Sequence, residues 1–252
     1  MKIKIINPNT SRSMTELIGR CARQRALPGT EVLVVHPSMG PASIESHYDE
    51  VLAVPGLLQE IRSGEAQGVG GHVIACFGDP GLQAAREIAS GPVLGIAESA
   101  MHLASLVAPR FSVVTTLGRT VGQAWHLAEV YGMRRFCANV RACEIPVLEL
   151  DRPGSGARQR ILAECRQALR EDRAEAIVLG CAGMADLCDE LTALLGVPVI
   201  DGVGAAVKLL EALSGLGLRT SKHGEWALPP AKPVSGLLAD FSLLGEPVHG
   251  AA

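Results

Sequence analysis

The stretch that decides the fold is His72-Val73-Ile74-Ala75-Cys76-Phe77-Gly78-Asp79-Pro80-Gly81-Leu82, an apolar run followed by a cysteine and turn residues. Its apolar part, 73–75, is typical of a strand that is buried on both faces. Asp79 followed by Pro80 predicts a helix start, with the aspartate as N-cap and proline in the first helical position. Cys76 is therefore expected at the carboxyl end of a parallel strand, where ligands bind, and beside a helix N-terminus that favours the thiolate.

A second copy of this pattern begins a little over 100 residues later in the chain. It reads Ala176-Ile177-Val178-Leu179-Gly180-Cys181-Ala182-Gly183-Met184, and its cysteine follows Cys76 by 105 residues. The next short strand also repeats, because the segment 92–97 matches 198–203 at a displacement of 106 residues. Such a repeat indicates two similar α/β subdomains related by a pseudo-two-fold axis, with equivalent strand ends facing one cleft. Cys76 and Cys181 are then expected to oppose each other.

The order of strands and helices predicts where the subdomains divide. The opening strand, Lys2 to Ile6, has its counterpart in Phe111 to Thr116, where the pattern restarts. We predict a first subdomain of residues 1–97 with 208–252 and a second of residues 98–207. Each is expected to be a mostly parallel sheet flanked by helices, with the active site in the cleft between them. The Pro- and Gly-rich segment after Gly215 is expected to lie over the surface.

Composition and charge exclude several classes of protein. The 252 residues are 48% hydrophobic, 19% charged and 3% aromatic, as in a soluble α/β protein. A formal net charge of -3 without a basic cluster argues against a nucleic-acid partner. No apolar run has the length of a signal peptide core or a membrane span. We therefore expect a cytoplasmic protein with no membrane partner.

The other cysteines and the histidines predict neither disulfides nor a metal site. Seven cysteines without a CxxC pair, in a long chain without a signal, indicate reduced thiols. Five of them are expected to be small buried hydrophobes, namely Cys21, Cys137, Cys143, Cys165 and Cys188. The histidines show no HxH or HxxxH spacing, so we expect no metal and predict that they are solvated or hydrogen-bonded.

Two thiols on opposite sides of a cleft suit one reaction particularly well. A thiolate removes a carbon-bound proton next to a carbonyl, and a thiol on the other face returns one, which inverts the centre without a cofactor. A helix N-terminus that lowers the thiol pKa modestly from about 8.5 would supply the thiolate. The alternative is that both cysteines only pack. The developing enolate needs donors, and the candidates are the backbone N–H groups at Phe77, Gly78, Ala182 and Gly183 and the side chains of Asn9, Thr115 and Thr116.

Several motifs, in this order, resemble the hydantoin racemases of the aspartate/glutamate racemase superfamily. They are Ile6-Asn7-Pro8-Asn9-Thr10-Ser11, the segment Ala75 to Leu82, Gly95-Ile96-Ala97-Glu98, Phe111 to Leu117, Gly180-Cys181-Ala182-Gly183-Met184 and Ile200-Asp201-Gly202-Val203. The resemblance extends from residue 2 to about Lys222. It implies a two-subdomain α/β fold, a two-base mechanism carried by Cys76 and Cys181, no cofactor and a homo-oligomer.

Departures from the wider superfamily indicate the kind of substrate. Amino-acid racemases of the superfamily have Asn-Thr after the first cysteine and Thr-His after the second, whereas this chain has Phe77-Gly78 and Ala182-Gly183. A neutral cyclic ureide fits these residues better than a zwitterion. Allantoin racemases share much of the framework and are the alternative. Arylmalonate decarboxylases resemble the same fold but use one such cysteine, so the presence of both favours racemisation.

Two functions from other classes remain open. A two-lobed α/β protein that binds a small ligand also closes similar lobes over a cleft, but such a protein would be expected to carry a secretion signal. A thiol redox protein would need Cys76 and Cys181 within disulfide distance, and such proteins usually carry a CxxC motif.

Overall fold

The structure is a computed structural model that describes residues 1–150, 152 and 154–243. Short strands alternate with helices along the chain. The strands are β1 Lys2–Ile6, β2 Glu31–Val35, β3 Gly71–Ile74, β4 Val93–Gly95, β5 Phe111–Thr115, β6 Cys137–Ala142, β7 Ala176–Leu179 and β8 Val199–Ile200. The α-helices are α1 Arg12–Arg25, α2 His47–Ala66, α3 Leu82–Ile88, α4 Ile96–Val107, α5 Val121–Val130, α6 Ala157–Gln167, α7 Cys188–Leu195 and α8 Gly202–Gly215.

The strands form two parallel four-stranded sheets with the same internal order. The first sheet runs β2-β1-β3-β4 and the second runs β6-β5-β7-β8. The predicted α/β fold of two similar halves is thereby confirmed. The boundaries 1–97 with 208–252 and 98–207 stay a prediction, and residues 151, 153 and 244–252 within them lie outside the described residues.

The two strands that lead into the repeated cysteines are buried along their whole length. Every residue of β3 and of β7 is buried, as their unbroken apolar sequences predict. Helices α4 and α8 contact each other, and a single core cluster contains residues from both sheets, among them Ile5 of β1 and Val113 of β5. This shared core fixes the carboxyl ends of β3 and β7 relative to each other.

The helix after Cys76 begins later than the sequence predicts. Helix α3 starts at Leu82, and its N-cap is Gly81, whose φ of 67° lies in the left-handed region that glycine tolerates. Asp79 has a φ of 44° and does not cap α3. Its carboxylate instead accepts hydrogen bonds from the backbone N–H groups of Ala97 at 3.1 Å and Glu98 at 2.9 Å, at the start of α4. The prediction of Asp79 as the N-cap of its own helix is therefore wrong.

The turn after Cys181 is also followed by a delayed α-helix. A 3-10 helix, Ala182–Leu187, precedes α7, which begins only at Cys188. Asp201 caps α8 by accepting a hydrogen bond from the N–H of Gly204 at 2.7 Å. Helix α4 of the first half is therefore capped by Asp79 from the turn after Cys76, whereas helix α8 is capped by Asp201 at its own N-cap position.

Residues 216–243 lie over the surface of the first half, as predicted for the segment after Gly215, whose last residues, 244–252, lie outside the described residues. Trp226 Nε1 donates a hydrogen bond to Gln83 Oε1 at 2.8 Å, and the Arg86 guanidinium lies 4.9 Å from the centre of the Trp226 ring. Lys222 Nζ donates to the backbone oxygen of Arg86 at 2.5 Å. This part of the chain is thus anchored on α3.

The five cysteines outside the repeated motifs are buried, which confirms that prediction. The prediction for the histidines is wrong at His72. This residue is fully buried in β3, and neither of its ring nitrogens has a hydrogen-bond partner among the described residues. None of the helices in the described part of the chain combines the length and the apolar character that crossing a membrane requires.

Candidate active site

A single cleft contains both repeated cysteines. Cys76 is the second residue after the end of β3, and Cys181 is the second residue after the end of β7. Because the core holds the two sheets together, these equivalent strand ends open into the same space. The cleft has an empty volume of about 560 Å³, including its open mouth. It is lined by Asn9, Met14, Ile44, Glu50, Ala75, Cys76, Phe77, Gly78, Thr115, Thr116, Thr120, Gln123, Ala124, Val147, Gly180, Cys181 and Ala182.

Most of the residues predicted from the sequence for the site lie on this cleft. Besides the two cysteines, the wall includes Asn9, Phe77, Gly78, Thr115, Thr116 and Ala182. Gly183 lines a neighbouring cavity instead. A Cβ atom on Gly183 would come within 2.9 Å of Leu150 Cδ1, so the absence of a side chain there keeps the turn after Cys181 close to its neighbours.

The two thiols have matching backbone environments. The backbone N–H of Gly78 acts on the Cys76 thiol as a donor that lowers its pKa, and the N–H of Gly183 acts in the same way on Cys181. Each donor is two residues after its cysteine, which reflects the repeated turn. A hydrogen bond of this kind favours the thiolate. The role of the Gly78 and Gly183 N–H groups as donors to an enolate stays a prediction.

Burial nevertheless dominates the protonation of both thiols. It raises the pKa of Cys181 to about 11, and the charge of Glu45 acts in the same direction. It raises the pKa of Cys76 further, with added contributions from Cys181, Glu50 and Asp79. At both thiols desolvation outweighs the backbone donor, so the net shift of the pKa is upward and not the modest lowering expected from a helix N-terminus. Helix α3 begins only at Leu82, whereas a 3-10 helix begins directly after Cys181 at Ala182.

The predicted polar side chains differ in how far the protein already uses them. Asn9 Oδ1 accepts hydrogen bonds from Asn7 Nδ2 at 2.8 Å and from the N–H of Ser11 at 2.9 Å. Among the described residues, the acceptor for Asn9 Nδ2 is the Met14 sulfur at 3.4 Å, and a thioether accepts weakly. This amide nitrogen can therefore donate to a bound molecule.

The two threonines at the end of β5 are also unequal. Thr115 Oγ1 donates to the backbone oxygen of Gly180 at 3.3 Å and lies 3.1 Å from Thr120 Oγ1. The hydroxyl of Thr116 has no hydrogen-bond partner among the described residues. Thr116 is thus the more available of the two for binding, whereas Thr115 connects β5 to the turn that carries Cys181.

Sequence reasoning missed three polar residues of the cleft, namely Glu50, Thr120 and Gln123. Glu50 lies in the first turn of α2 and Gln123 in the first turn of α5, and their side chains form a hydrogen bond across the cleft. Both helices follow a strand directly or after a loop, so their first turns lie at the edge where the strands end. A search of the first turn of every helix that follows a strand could have found Glu50 and Gln123.

The charges on the cleft wall are few. Glu50 is the one formally charged side chain among the described residues that line it, and no lysine or arginine is present there. A carboxylate ligand would therefore meet no cationic partner on this wall. The apolar part of the wall is formed by Met14, Ile44, Phe77, Ala124 and Val147. This arrangement fits a neutral, partly apolar molecule.

Comparisons with known proteins agree with this site. The family model described as Asp/Glu/Hydantoin racemase matches residues 3–210. The chain is 49% identical over 241 residues to a hydantoin racemase of Pseudomonas sp. (strain NS671), covering 96% of this chain and 97% of the relative. It is 51% identical to a hydantoin racemase of Rhizobium meliloti over 236 residues, covering 94% and 98% of the two chains.

A solved structure shows the same fold over nearly the full length. The allantoin racemase from Klebsiella pneumoniae superposes with a TM-score of 0.95 at 55% sequence identity, covering 96% of this chain and 99% of that chain. Identity of about half over almost the whole chain extends well beyond the two cysteine motifs. The chain therefore belongs to the Asp/Glu/hydantoin racemase family and is a racemase.

Proposed function

We propose that this racemase inverts C5 of 5-substituted hydantoins by a two-base proton transfer between Cys76 and Cys181, without a cofactor. The observation that carries the proposal is the presence of both thiols, at equivalent strand ends, on one cleft. The names of the relatives that are 49% and 51% identical support the substrate class.

Two-base transfer needs one thiolate and one thiol at the start of each turnover. The charge of one cysteine opposes ionisation of the other, because Cys181 contributes to the raised pKa of Cys76. A single ionised thiol is therefore the preferred reactive state. The thiolate removes the C5 proton, and the opposite thiol donates its proton to the other face of the carbanion. After inversion the protonation states of the two thiols are exchanged.

A neutral ring suits the rest of the cleft. Negative charge develops on a ring carbonyl as the C5 proton leaves, and the Nδ2 donor of Asn9 and the hydroxyl of Thr116 can stabilise it. The 5-substituent would lie against the apolar wall. The lack of a basic residue on the described wall argues against an α-amino acid, whose carboxylate needs a cation.

Deuterium incorporation tests this proposal. The purified protein is incubated in D₂O with one enantiomer of a 5-alkylhydantoin, and optical rotation and deuterium at C5 are followed together. In the first turnovers the product enantiomer should contain deuterium while the remaining substrate keeps hydrogen. A sample without protein measures spontaneous exchange. The proposal is refuted if the optical rotation falls no faster with the protein than in the sample without protein.

Allantoin is a second candidate substrate, because the chain is 55% identical to an allantoin racemase over 96% of its length. Allantoin is a hydantoin with a polar ureido group at C5, so the same two-base chemistry applies. The two candidates differ in how the 5-substituent meets the apolar wall. Comparing kcat/KM for allantoin and for a 5-alkylhydantoin of similar size decides between them, and the apolar wall predicts a higher value for the alkyl compound.

A further inference from the structure

Glu50 and Gln123 meet over the cleft from opposite halves of the molecule. Glu50 belongs to α2 of the first half, and Gln123 to α5 of the second. The Gln123 amide nitrogen donates a hydrogen bond to Glu50 Oε1. The other carboxylate oxygen lies 3.3 Å from His47 Nδ1, and the His47 side chain is 85% exposed. An exposed contact of this kind holds the oxygen only weakly.

This pair lies directly beside the turn that carries Cys76. A Cβ atom on Gly78 would overlap the Glu50 carboxylate and would come within 2.7 Å of Gln123 Nε2. Glycine at 78 therefore allows the carboxylate to approach the backbone next to the cysteine. The Glu50 side chain is only 16% exposed, and its charge acts on the Cys76 thiol. Glu50 is therefore in a position to contact a molecule bound beside Cys76.

The other hydrogen-bonding groups on the wall include few acceptors. Asn9 Oδ1 already accepts two hydrogen bonds, and the Thr115 hydroxyl is used by Gly180 and Thr120. A cyclic ureide presents ring N–H groups that lose water on binding and then need acceptors. An ionised carboxylate accepts only and is the strongest acceptor on the wall, where the Thr116 hydroxyl and the Gln123 amide oxygen are neutral acceptors.

We propose that the Glu50 carboxylate accepts a hydrogen bond from a ring N–H of the neutral cyclic ureide, while Gln123 holds the carboxylate in place. This inference rests on the function proposed above and identifies how the same site selects its substrate. The negative charge of Glu50 also repels anionic ligands. Glu50 is thus a specificity-determining residue, and Gln123 is a positioning residue.

A double-mutant cycle between enzyme and substrate tests the hydrogen bond. Glu50→Gln keeps the shape of the side chain and removes its charge. Racemisation is measured for a 5-alkylhydantoin and for its N1-methyl and N3-methyl derivatives, with the parent enzyme and the variant. We expect Glu50→Gln to lower kcat/KM for the unmethylated compound about 10-fold or more, mainly through KM, as for a lost hydrogen bond to a charged group. For one of the two methyl derivatives the same substitution should change kcat/KM less than about 3-fold.

Because the intrinsic effect of each methyl group on C5 acidity is the same in both enzymes, it cancels in the cycle. The derivative that couples to Glu50 identifies the N–H involved. Gln123→Met should reduce this coupling without removing it and should raise KM more than it lowers kcat. Glu129→Gln removes one charge from an exposed position of α5 that does not line the cleft, and it should leave all three substrates unaffected.

The outcomes separate the two proposals. If the parent enzyme racemises none of the three compounds, the proposed function fails. Alternatively, the parent enzyme is active and Glu50→Gln changes kcat/KM by the same factor for the unmethylated compound and for both methyl derivatives. That result refutes the hydrogen bond to Glu50 and leaves the proposed function standing. A Glu129→Gln variant with the same substrate dependence as Glu50→Gln would also refute the inference, because the effect would then reflect net charge.

Discussion

Asp79 and Gly95 occupy complementary space, since a Cβ atom on Gly95 would overlap the carboxylate of Asp79. From this position the carboxylate caps α4 and also accepts a hydrogen bond from Tyr131 Oη at 2.8 Å. In the second half the residue that corresponds to Gly95 is Asp201, which caps α8 with its own side chain. The first half instead takes its cap from the turn that carries Cys76. The start of α4 and the position of Cys76 are therefore linked.

Gly95→Ala tests this link. The added methyl group should displace the Asp79 carboxylate and weaken three hydrogen bonds, of which one is buried and two are partly buried, so the free energy of unfolding should fall by about 2 kcal/mol or more. Urea unfolding measures the change. Gly122→Ala is the matched control, because Gly122 lies in α5 and nothing is within 4 Å of its added Cβ. That control should be neutral or up to about 1 kcal/mol more stable. Equal stability of the two variants would show that Asp79 moves freely.

His72 gives the second prediction, which concerns acid stability. Its pKa is lowered to about 4, first by burial and then by the nearby charge of Lys4. The unfolded chain binds a proton at this residue from about pH 6.5 downward, while the folded protein resists protonation until about pH 4. The unfolded state therefore binds more protons in this window, and the stability of the fold decreases as pH falls from about 6.5 to 4.

His72→Leu should remove this effect. The difference in unfolding free energy between pH 7 and pH 5 should become smaller by about 2 kcal/mol than in the parent protein. The leucine also removes two buried ring nitrogens that lack hydrogen-bond partners among the described residues. Urea titrations of both proteins at the two pH values measure the change. If both proteins lose the same stability on going to pH 5, the assignment of a buried neutral His72 is incorrect.

Much of the fold was predictable because it depends on local patterns. The apolar run before Cys76 and its copy before Cys181 predicted two buried strands, and the identical strand orders of the two sheets confirm the repeat. The cap provided by Asp79 was not predictable in this way. It depends on the missing side chain at Gly95, sixteen residues away, and a local aspartate-proline signal gives no information about that contact.

The site also contains some features that local sequence predicts and others that depend on tertiary packing. The residues that follow strands, such as Asn9 and Thr116, could be placed because parallel strands end at one edge. Glu50 and Gln123 come from helices in different halves, so only packing brings them together. The thiol pKa values depend on how much solvent the folded cleft excludes, and sequence spacing does not determine that.

The carboxylates near the thiols give a third, crossed prediction. Glu50 contributes to the raised pKa of Cys76, and Glu45 contributes to that of Cys181. Glu50→Gln should therefore lower the pKa of Cys76 only, and Glu45→Gln that of Cys181 only. In the parent protein Cys181 should react with iodoacetamide at lower pH than Cys76. Peptide mass spectrometry of alkylation rates against pH measures each thiol separately. Parallel shifts of both cysteines in either variant would contradict the prediction.

The last prediction concerns what each cysteine does alone. If each thiol serves one face of C5, Cys76→Ser and Cys181→Ser should both abolish racemisation, since a serine hydroxyl is far too weak an acid to replace a thiol. The remaining thiolate should still remove the proton of the one enantiomer that presents hydrogen to its face. After exchange with solvent, that thiol returns a deuteron to the same face, so deuterium enters without inversion.

Each single variant should therefore exchange the C5 proton of one hydantoin enantiomer, and the two variants should prefer opposite enantiomers. Chiral chromatography with mass detection, on pure enantiomers in D₂O, measures exchange and inversion separately. The double variant Cys76→Ser with Cys181→Ser serves as the baseline for spontaneous exchange. The hypothesis that each thiol serves one face of C5 is ruled out if both single variants exchange the same enantiomer. It is also ruled out if either variant racemises near the parent rate. Opposite preferences would assign each cysteine to its enantiomer, because only the thiol on the face that carries the hydrogen can start the reaction.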